Sequence, residues 1–504
     1  MLKSISPYNE KYNYIIDHEL EKKKIKKFIN NKKETVVVQG LGFVGSAMIA
    51  ALSLANKNGE SIYNVIGVDL ADTKNYWKIG RVNSGKPPVI SEDKKLNKAY
   101  YEGKKGERIF ATYSKYAYKI ADIVVIDINL DIHKKEIGNP YDYSFSYEQY
   151  INSINSIADN ITEETLIVVE STVPPGTTEK ILYPLFKKKF QERNLDINRL
   201  FIAHSYERVM PGKDYLDSIV NFYRVYSGID RKSKNRARSF LSSFINVKNY
   251  PLCELHSTNA SEIAKVLENS FRAVNIAFIQ EWTELANCIN VNLYEIIDAI
   301  RKRPTHKNIM LPGFGVGGYC LTKDALLADW AKNNLFRNPG HLKMSLDAIK
   351  INDLMPNYTF NLIKSKYPLI KNFKIGIFGI SYLNDVADTR YSPAELLYKL
   401  CLKENASIFL HDELVSYWEE QDRNVNTNLD REKTKDIDIA VFTVRHKMYL
   451  NLSALKLINL MPKIRLIVDA NNIFSDIKAE KFIENNVEVI GVGKGHWNQL
   501  LEEK

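Results

Sequence analysis

Residues 36 to 55 read VVVQGLGFVGSAMIAALSLA, twenty positions without a charged side chain. A run of that length and polarity is long enough to cross a bilayer as one helix. Three glycines and Gln39 interrupt it, however, and β-branched residues crowd its first part while alanines crowd its second. That division predicts a strand over TVVVQ, a tight turn and a helix over 43–56 rather than a membrane span.

The spacing Gly40-Leu-Gly42-Phe-Val-Gly45 follows the strand and opens the helix, the setting in which this pattern carries information. Gly40 permits the turn, Gly42 removes the side chain where a pyrophosphate must approach, and Gly45 lets helix and strand pack closely. The free N–H groups at the helix start suit phosphate oxygens. Gly40, Gly42, Phe43, Val44 and Gly45 are therefore expected to hold a dinucleotide. The next strand, YNVIGVD, ends in Asp69, 24 residues after Gly45, where a carboxylate accepts ribose hydroxyls and repels a 2′-phosphate. No arginine stands beside it in sequence, so NAD is favoured over NADP.

Later runs DIVVIDI, LIVVEST, RLFIAHS and FYRVYSG repeat the continuous apolar strand pattern, the mark of a parallel sheet covered on both faces. From 257 to about 301 the apolar residues recur at helical spacing, and about 30 residues of helix would span roughly 45 Å. Strands resume in FKIGIFGIS, ASIFLHD, DIDIAVFTV, RLIVDAN and VEVIGVG. The expected layout is α/β, with two Rossmann-like doubly wound parallel-sheet domains joined by a long-helix central domain. Its parts are a Lys-rich extension (1–33), a NAD-binding domain (34–256), a central helical domain with the Cys loop (257–350), suited to a spacer or dimer interface, and a second α/β domain (351–504). GIFGIS (376–381) lacks the full glycine pattern, which suits a bulkier nucleotide there.

The net charge of +10 invites a nucleic-acid reading, but residues 1–33 hold nine lysines against four acidic groups, half of that excess. EKKKIKKFINNKK reads as a solvated, helical extension without interleaved aromatics. No nucleic acid and no membrane are expected as partners. The start, MLKSISPYNEKYNY, has no apolar signal core, and the four cysteines form no CxxC pair, which predicts a cytoplasmic protein without disulfides or zinc.

Of the four cysteines only Cys320 lies in a glycine-rich loop, GFGVGGYCLTKD (313–324), where a substrate can approach sulfur. Lys323 and Asp324 follow, a cation to lower the thiol pKa and a carboxylate to position water. Lys265 and Asn269 lie one helical turn apart and share a face, although Glu262 and Lys265 would also make an ordinary exposed pair.

Five stretches, STVPPGTT (171–178), HSYERVMPG (204–212), KVLENSFRAVNIAF (265–278), GFGVGGYCLTKD and GISYLNDVADTRYSPAE (379–395), occur in one order. Together they resemble the UDP-glucose/GDP-mannose dehydrogenase family. The resemblance implies four-electron, NAD-dependent oxidation of the C6 alcohol of a nucleotide sugar to a carboxylate, by a homodimer feeding surface polysaccharide synthesis. It makes 257–350 the dimerisation domain and 351–504 the nucleotide-sugar domain, and it implies that Cys320 forms a thiohemiacetal and then a thioester. Lys265 and Asn269 would stabilise charge at C6, while Asp324, Glu207 and Thr172 handle water. Thr172 and Lys323 are expected beside the cofactor. Glu207, Arg208, Lys265, Asn269, Gly315, Gly317 and Arg390 are expected beside the sugar nucleotide, with the loop glycines giving it room. Arg208 could instead tie Glu207 into an ion pair.

The chain departs from the family pattern at Leu383, where a lysine is common, and at Tyr206, where a proline is common. DINLD (127–131) also stands in place of a Pro/Thr-rich turn. ERVMPG resembles the N-acetylhexosamine members and CLTKD the UDP-glucose members, so UDP-glucose and UDP-N-acetylhexosamines both fit. GDP-mannose is an alternative, as is a two-electron dehydrogenase of the 6-phosphogluconate type, which has no need of a loop cysteine.

Overall fold

The computed structural model describes residues 2–502 except 8, 31, 90 and 211, so Pro211 of HSYERVMPG lies outside the described residues. The chain forms two compact units. One comprises Met1–Ile132, Phe145–Val266 and Leu327–Gly340, the other His133–Ser144, Leu267–Leu326 and His341–Lys504.

The first unit opens with a hairpin, β1 (Leu2–Ile5) and β2 (Lys11–Tyr14), and helix α1 (His18–Phe28). Strand β3 (Glu34–Gln39) leads into α2 (Phe43–Leu54), then β4 (Tyr63–Val68), α3 (Tyr76–Asn83) and β5 (Ile109–Thr112). The remaining strands are β6 (Ile123–Ile126), β7 (Leu166–Val169), β8 (Phe201–His204), β9 (Val225–Gly228) and β10 (Cys253–Glu254). Their order across the sheet is β10-β9-β8-β7-β6-β3-β4-β5. The strand order reverses between β3 and β6, the place where an open α/β sheet leaves a ligand crevice beyond its strand ends.

Both faces of this sheet are covered, which is why its strands are continuously apolar. Val36 and Val38 face one core with Met48, Leu52 and Ile109, while Val37 faces the other with Ile66, Val124 and Ile167. Each such fully buried aliphatic side chain contributes about 1.5–3 kcal/mol relative to an exposed one. Two expectations need correction. The strand FYRVYSG runs antiparallel to its neighbour β8, so the sheet is mixed at that edge. The Lys-rich leader is not a solvated extension, because Ile25 of α1 is fully buried in the core containing Val37 and Ile66. His18, Glu19, Leu20 and most of the lysines of α1 meet water.

A 31-residue helix, α4 (Thr258–Cys288), carries Lys265 and Asn269, and α5 (Asp324–Asn334) begins at Asp324. The second unit holds a five-stranded sheet of β11 (Lys374–Phe378), β12 (Ser407–His411), β13 (Ile439–Phe442), β14 (Leu466–Asp469) and β15 (Glu488–Gly491). All pairings are parallel, in the order β12-β11-β13-β14-β15. Ile375 and Ile377 face one buried layer, and Phe378, Phe442 and Ile467 face the other.

Candidate active site

In the first unit the glycine turn has the shape that a dinucleotide requires. Gly40 adopts φ +102°, and a Cβ there would meet the Asp127 carbonyl oxygen at 2.3 Å. A Cβ on Gly45 would lie 1.9 Å from the Gly40 oxygen, so helix α2 rests directly on the turn. Gly42, at the N-cap of α2, has nothing within 4 Å of its Cβ position. Two glycines thus serve packing, and the third keeps open the space a pyrophosphate needs. The residues present fit NAD.

Asp69, just past β4, accepts from Leu41 N–H at 3.0 Å and from Leu70 N–H at 2.7 Å. Lys78 of α3 reaches the same carboxylate at 3.3 Å. The sequence showed no arginine beside Asp69, but it did not show this lysine, which α3 swings back from nine positions downstream.

Asp127 is the first residue after β6 and lies under Gly40. Both its carboxylate oxygens are buried without a hydrogen-bond partner among the described residues. Burial first, and then the nearby Glu207 carboxylate, push this carboxyl well above the usual carboxylate range, while the Arg224 guanidinium pulls the other way. Ser171 accepts from Ile128 N–H at 2.9 Å and donates to Ile126 C=O at 3.0 Å, which ties the DINLD turn to the loop bearing half-buried Thr172.

Lys265 of α4 is 7% exposed, and its ammonium donates to the Glu207 carbonyl at 2.8 Å and the Glu207 carboxylate at 3.3 Å. Arg208 donates to Tyr223 C=O at 2.8 Å and to the Tyr206 hydroxyl at 3.2 Å. The ring of Tyr206 is buried beneath both cations, 5.5 Å from the Lys265 nitrogen and 5.3 Å from the Arg208 guanidinium.

Glu262 is not the exposed partner of Lys265. It is 1% exposed and accepts from Gly176 N–H at 2.6 Å and Thr178 N–H at 2.8 Å, anchoring the STVPPGTT loop. Burial raises its pKa to about 7. His204, at the end of β8, is fully buried and shares a 2.7 Å hydrogen bond with Ser261 of α4. Burial, and secondarily Lys265, lowers its pKa to about 3, so the imidazole is neutral. Beside these groups Arg224 and Glu170 form a buried ion pair.

In the second unit Cys320 is exposed, at the end of the glycine loop. Its carbonyl accepts from Lys323 N–H at 3.2 Å and Asp324 N–H at 3.0 Å, a turn that starts α5 and buries both side chains. Asn269 Nδ2 donates to Asp324 Oδ2 at 2.6 Å, and Lys323 Nζ lies 3.3 Å from Asp324 Oδ1. The Asp324 carboxylate is thus held by an amide and an ammonium at once. The Lys323 ammonium also sits 4.3 Å from the centre of the Tyr319 ring.

The loop glycines have a different reason from the one expected. A Cβ on Gly315 would meet Pro393 at 2.6 Å, and one on Gly317 would meet Tyr382 at 2.5 Å. At Gly318, with φ +78°, it would meet the Tyr382 ring at 2.6 Å. The room is filled by the segment 382–393, and Gly318 N–H donates to Arg390 C=O at 3.0 Å. Arg390 itself pairs with Asp388 at 2.6 Å and lies over the Tyr319 ring. Leu383 is partly exposed. Ser381, Asp412 and His446 form a buried cluster at the ends of β11 and β12 that the sequence did not disclose.

The expected residues therefore fall into two groups, Glu207 with Lys265 in one unit and Asn269, Lys323 and Asp324 just after Cys320 in the other. Three family models match the chain in order. These are the NAD binding domain of the UDP-glucose/GDP-mannose dehydrogenase family (residues 34–245), its central domain (259–353) and its UDP binding domain (376–476). The chain is 32% identical over 388 residues to UDP-N-acetyl-D-mannosamine dehydrogenase of Methanococcus maripaludis, covering 76% of this chain and 81% of that one. It is 33% identical over 352 residues to the protein of that name from Methanocaldococcus jannaschii, with coverages of 68% and 75%. Among solved structures, NDP-N-acetyl-D-galactosaminuronic acid dehydrogenase from Methanosarcina mazei Go1 superposes with a TM-score of 0.75 at 25% identity, covering 96% of this chain and 99% of that one. The chain belongs to the UDP-glucose/GDP-mannose dehydrogenase family and is an NAD-dependent nucleotide-sugar dehydrogenase.

Proposed function

We propose that the enzyme oxidises C6 of a UDP-N-acetylhexosamine from alcohol to carboxylate, with Cys320 as the covalent nucleophile. The observation that carries this reading is an exposed cysteine whose carbonyl caps the turn presenting a buried, amide-bound Asp324. NAD, held by Gly40, Gly42, Phe43, Val44, Gly45 and Asp69, supplies the hydride acceptor for each of the two oxidations.

The chain's own groups do the rest. The Cys320 thiolate adds to the C6 aldehyde, forming a C–S bond while the carbonyl electron pair moves onto oxygen. Lys265 supplies a cation and Asn269 an amide donor for that oxygen. Loss of the second hydride leaves a thioester. Water then adds as Glu207 or Asp324 takes its proton and Thr172 orients it; the C–S bond breaks and the thiolate is restored. Lys323 pairs with the Asp324 carboxylate, and Arg390 offers a guanidinium to the sugar nucleotide.

The relatives' names favour an N-acetylhexosamine over UDP-glucose or GDP-mannose as substrate. The enzyme acts in the cytoplasm, where its four thiols stay reduced. No helix among the described residues is long and apolar enough to cross a membrane. A homodimer is favoured by the outward stripe of α4, where Leu267, Phe271, Phe278, Trp282 and Leu285 are all exposed at helical spacing.

The test is NADH formed per sugar consumed for UDP-N-acetylmannosamine, UDP-N-acetylglucosamine, UDP-N-acetylgalactosamine, UDP-glucose and GDP-mannose. Two per sugar, with an N-acetylhexosamine turned over fastest, is expected; one per sugar ends the thioester reading. Cys320→Ser should lower net turnover roughly a thousandfold while keeping NAD and nucleotide-sugar binding. Retained turnover would remove Cys320 from the chemistry.

A further inference from the structure

Residues 2–28 precede the first position matched by the NAD binding domain model, yet they are built onto the loop that follows Asp69. Ser4 of β1 is fully buried, and its hydroxyl donates to Thr73 C=O at 2.8 Å while accepting from Trp77 N–H at 3.1 Å. One side chain thus ties the loop to the first turn of α3. Tyr14 of β2 donates to Ala71 C=O at 3.3 Å, and its ring stacks on Tyr76 with centroids 4.0 Å apart and planes 11° apart. Tyr12 lies against α3 where Gly80 leaves space, since a Cβ there would meet its ring at 2.2 Å.

The contact continues along α3. The buried guanidinium of Arg81 donates to Glu10 Oε2 at 2.5 Å, and Lys86 reaches Glu10 Oε1 at 3.0 Å. On the same helix Lys78 meets Asp69 at 3.3 Å and Asn75 Oδ1 at 2.8 Å. The hairpin therefore holds the loop at Ala71, Thr73 and Tyr76, and holds the helix whose lysine meets the Asp69 carboxylate.

We propose that the hairpin of residues 2–14 is a positioning element of the cofactor site, with Ser4 and Tyr14 acting through the 70–77 segment to hold Asp69 ready for the adenosine ribose of NAD. Neither residue touches the cofactor. The physical ground is preorganisation: a loop already held in its binding conformation loses less conformational freedom when the dinucleotide arrives. The inference rests on Asp69 being the ribose carboxylate.

The test uses the full chain carrying Ser4→Ala with Tyr14→Leu. The Kd for NAD should rise about tenfold, on the scale of a lost buried hydrogen bond. Binding of UDP and kcat at saturating NAD should stay within about twofold, inside the scatter of a neutral substitution. Tyr14→Phe keeps the ring stacked on Tyr76 but loses the hydrogen bond to Ala71 C=O, so its Kd for NAD should lie between those of the unaltered protein and the double variant. An unchanged Kd for NAD overturns the proposal, and so does an equal loss of NAD and UDP binding, which marks general unfolding.

If the double variant fails to fold, amide exchange on the unaltered protein decides. NAD should slow exchange across residues 2–14 as well as 69–77, and protection that leaves 2–14 unchanged overturns the proposal. Asp69→Ala separates the two readings. If it leaves NAD binding intact, the ribose assignment falls and the hairpin's role with it. If it weakens NAD while the double variant does not, only the hairpin's role falls.

Discussion

The two sheets end in the same construction and use it differently. In the first unit the turn after β3 meets an acid at the end of β4, with Leu41 N–H donating to Asp69 at 3.0 Å. In the second, the turn after β11 meets an acid at the end of β12, with Ile380 and Ser381 N–H donating to Asp412 at 2.8 and 2.9 Å. The first turn has an open Gly42 at its helix start. At the second, the Ser381 hydroxyl donates to Asp412 at 2.9 Å and lies 3.0 Å from His446. Asp412 is fully buried, and its hydrogen bonds, with His446 the strongest contributor, overcome burial to bring its pKa to about 2. The first turn leaves room and a partly exposed carboxylate for a ligand, whereas the second spends its acid on its own backbone.

The glycines test this contrast most severely. Gly45→Ala puts a methyl group onto the Gly40 carbonyl and should destabilise the protein by about 3 kcal/mol in urea unfolding, the upper range for overpacking. Gly42→Ala meets nothing and should leave the urea midpoint unchanged while weakening NAD binding. Equal stability losses for the two would break the distinction between packing and binding glycines.

The buried acids should respond to pH with opposite signs. Glu262, raised from 4.5 to about 7, binds its proton more tightly when folded, so its contribution is lost as pH rises between those values. The loss amounts to roughly 3 kcal/mol at most, at 1.36 kcal/mol per pKa unit. Glu262→Gln should therefore gain on the unaltered protein between pH 5 and pH 8 in urea midpoint. Asp412, lowered from 3.8 to about 2, contributes above pH 4 and loses that contribution as pH falls through 2. At pH 7, Asp412→Asn should cost about 2 kcal/mol, the scale of a broken buried network.

Asp69 provides the smallest and most specific effect. Asp69→Asn keeps one side-chain oxygen to accept from Leu41 N–H and should cost about 1 kcal/mol of stability in urea unfolding. It should raise the KM for NAD about tenfold while improving use of NADP, because Lys78 then faces the 2′ position without its carboxylate. A variant that binds NAD and NADP as the unaltered protein does would remove Asp69 from the cofactor site.

The legible residues share one property, which is that their function is expressed in local backbone. Gly42 and Gly45 act within a single strand-turn-helix, whose two arms announce themselves by apolar pattern, although the Asp127 oxygen for which Gly40 makes room comes from elsewhere in the chain. Cys320 and Asp324 are linked by one turn, so their proximity was readable as spacing. Lys265 with Glu207, by contrast, joins residues 58 positions apart, and the exposed-pair alternative for Lys265 with Glu262 was equally consistent with helical spacing. The loop glycines were readable as glycines but not as contacts for Tyr382 and Pro393, because what fills a missing side chain's place comes from elsewhere in the chain.

By itself, the sequence determined the alternation of strands and helices, the dinucleotide turn and the order of the family's motifs, since these rest on near-neighbour sterics and periodic burial. Tertiary structure alone decided that Glu262 is a buried anchor whose pKa is raised to about 7, that the Asp127 carboxylate is buried without a hydrogen-bond partner among the described residues, and that Ser4 grips a loop 69 to 73 positions away. Those properties depend on desolvation and on hydrogen-bond partners brought together by folding, and neither is encoded in any local pattern of residues.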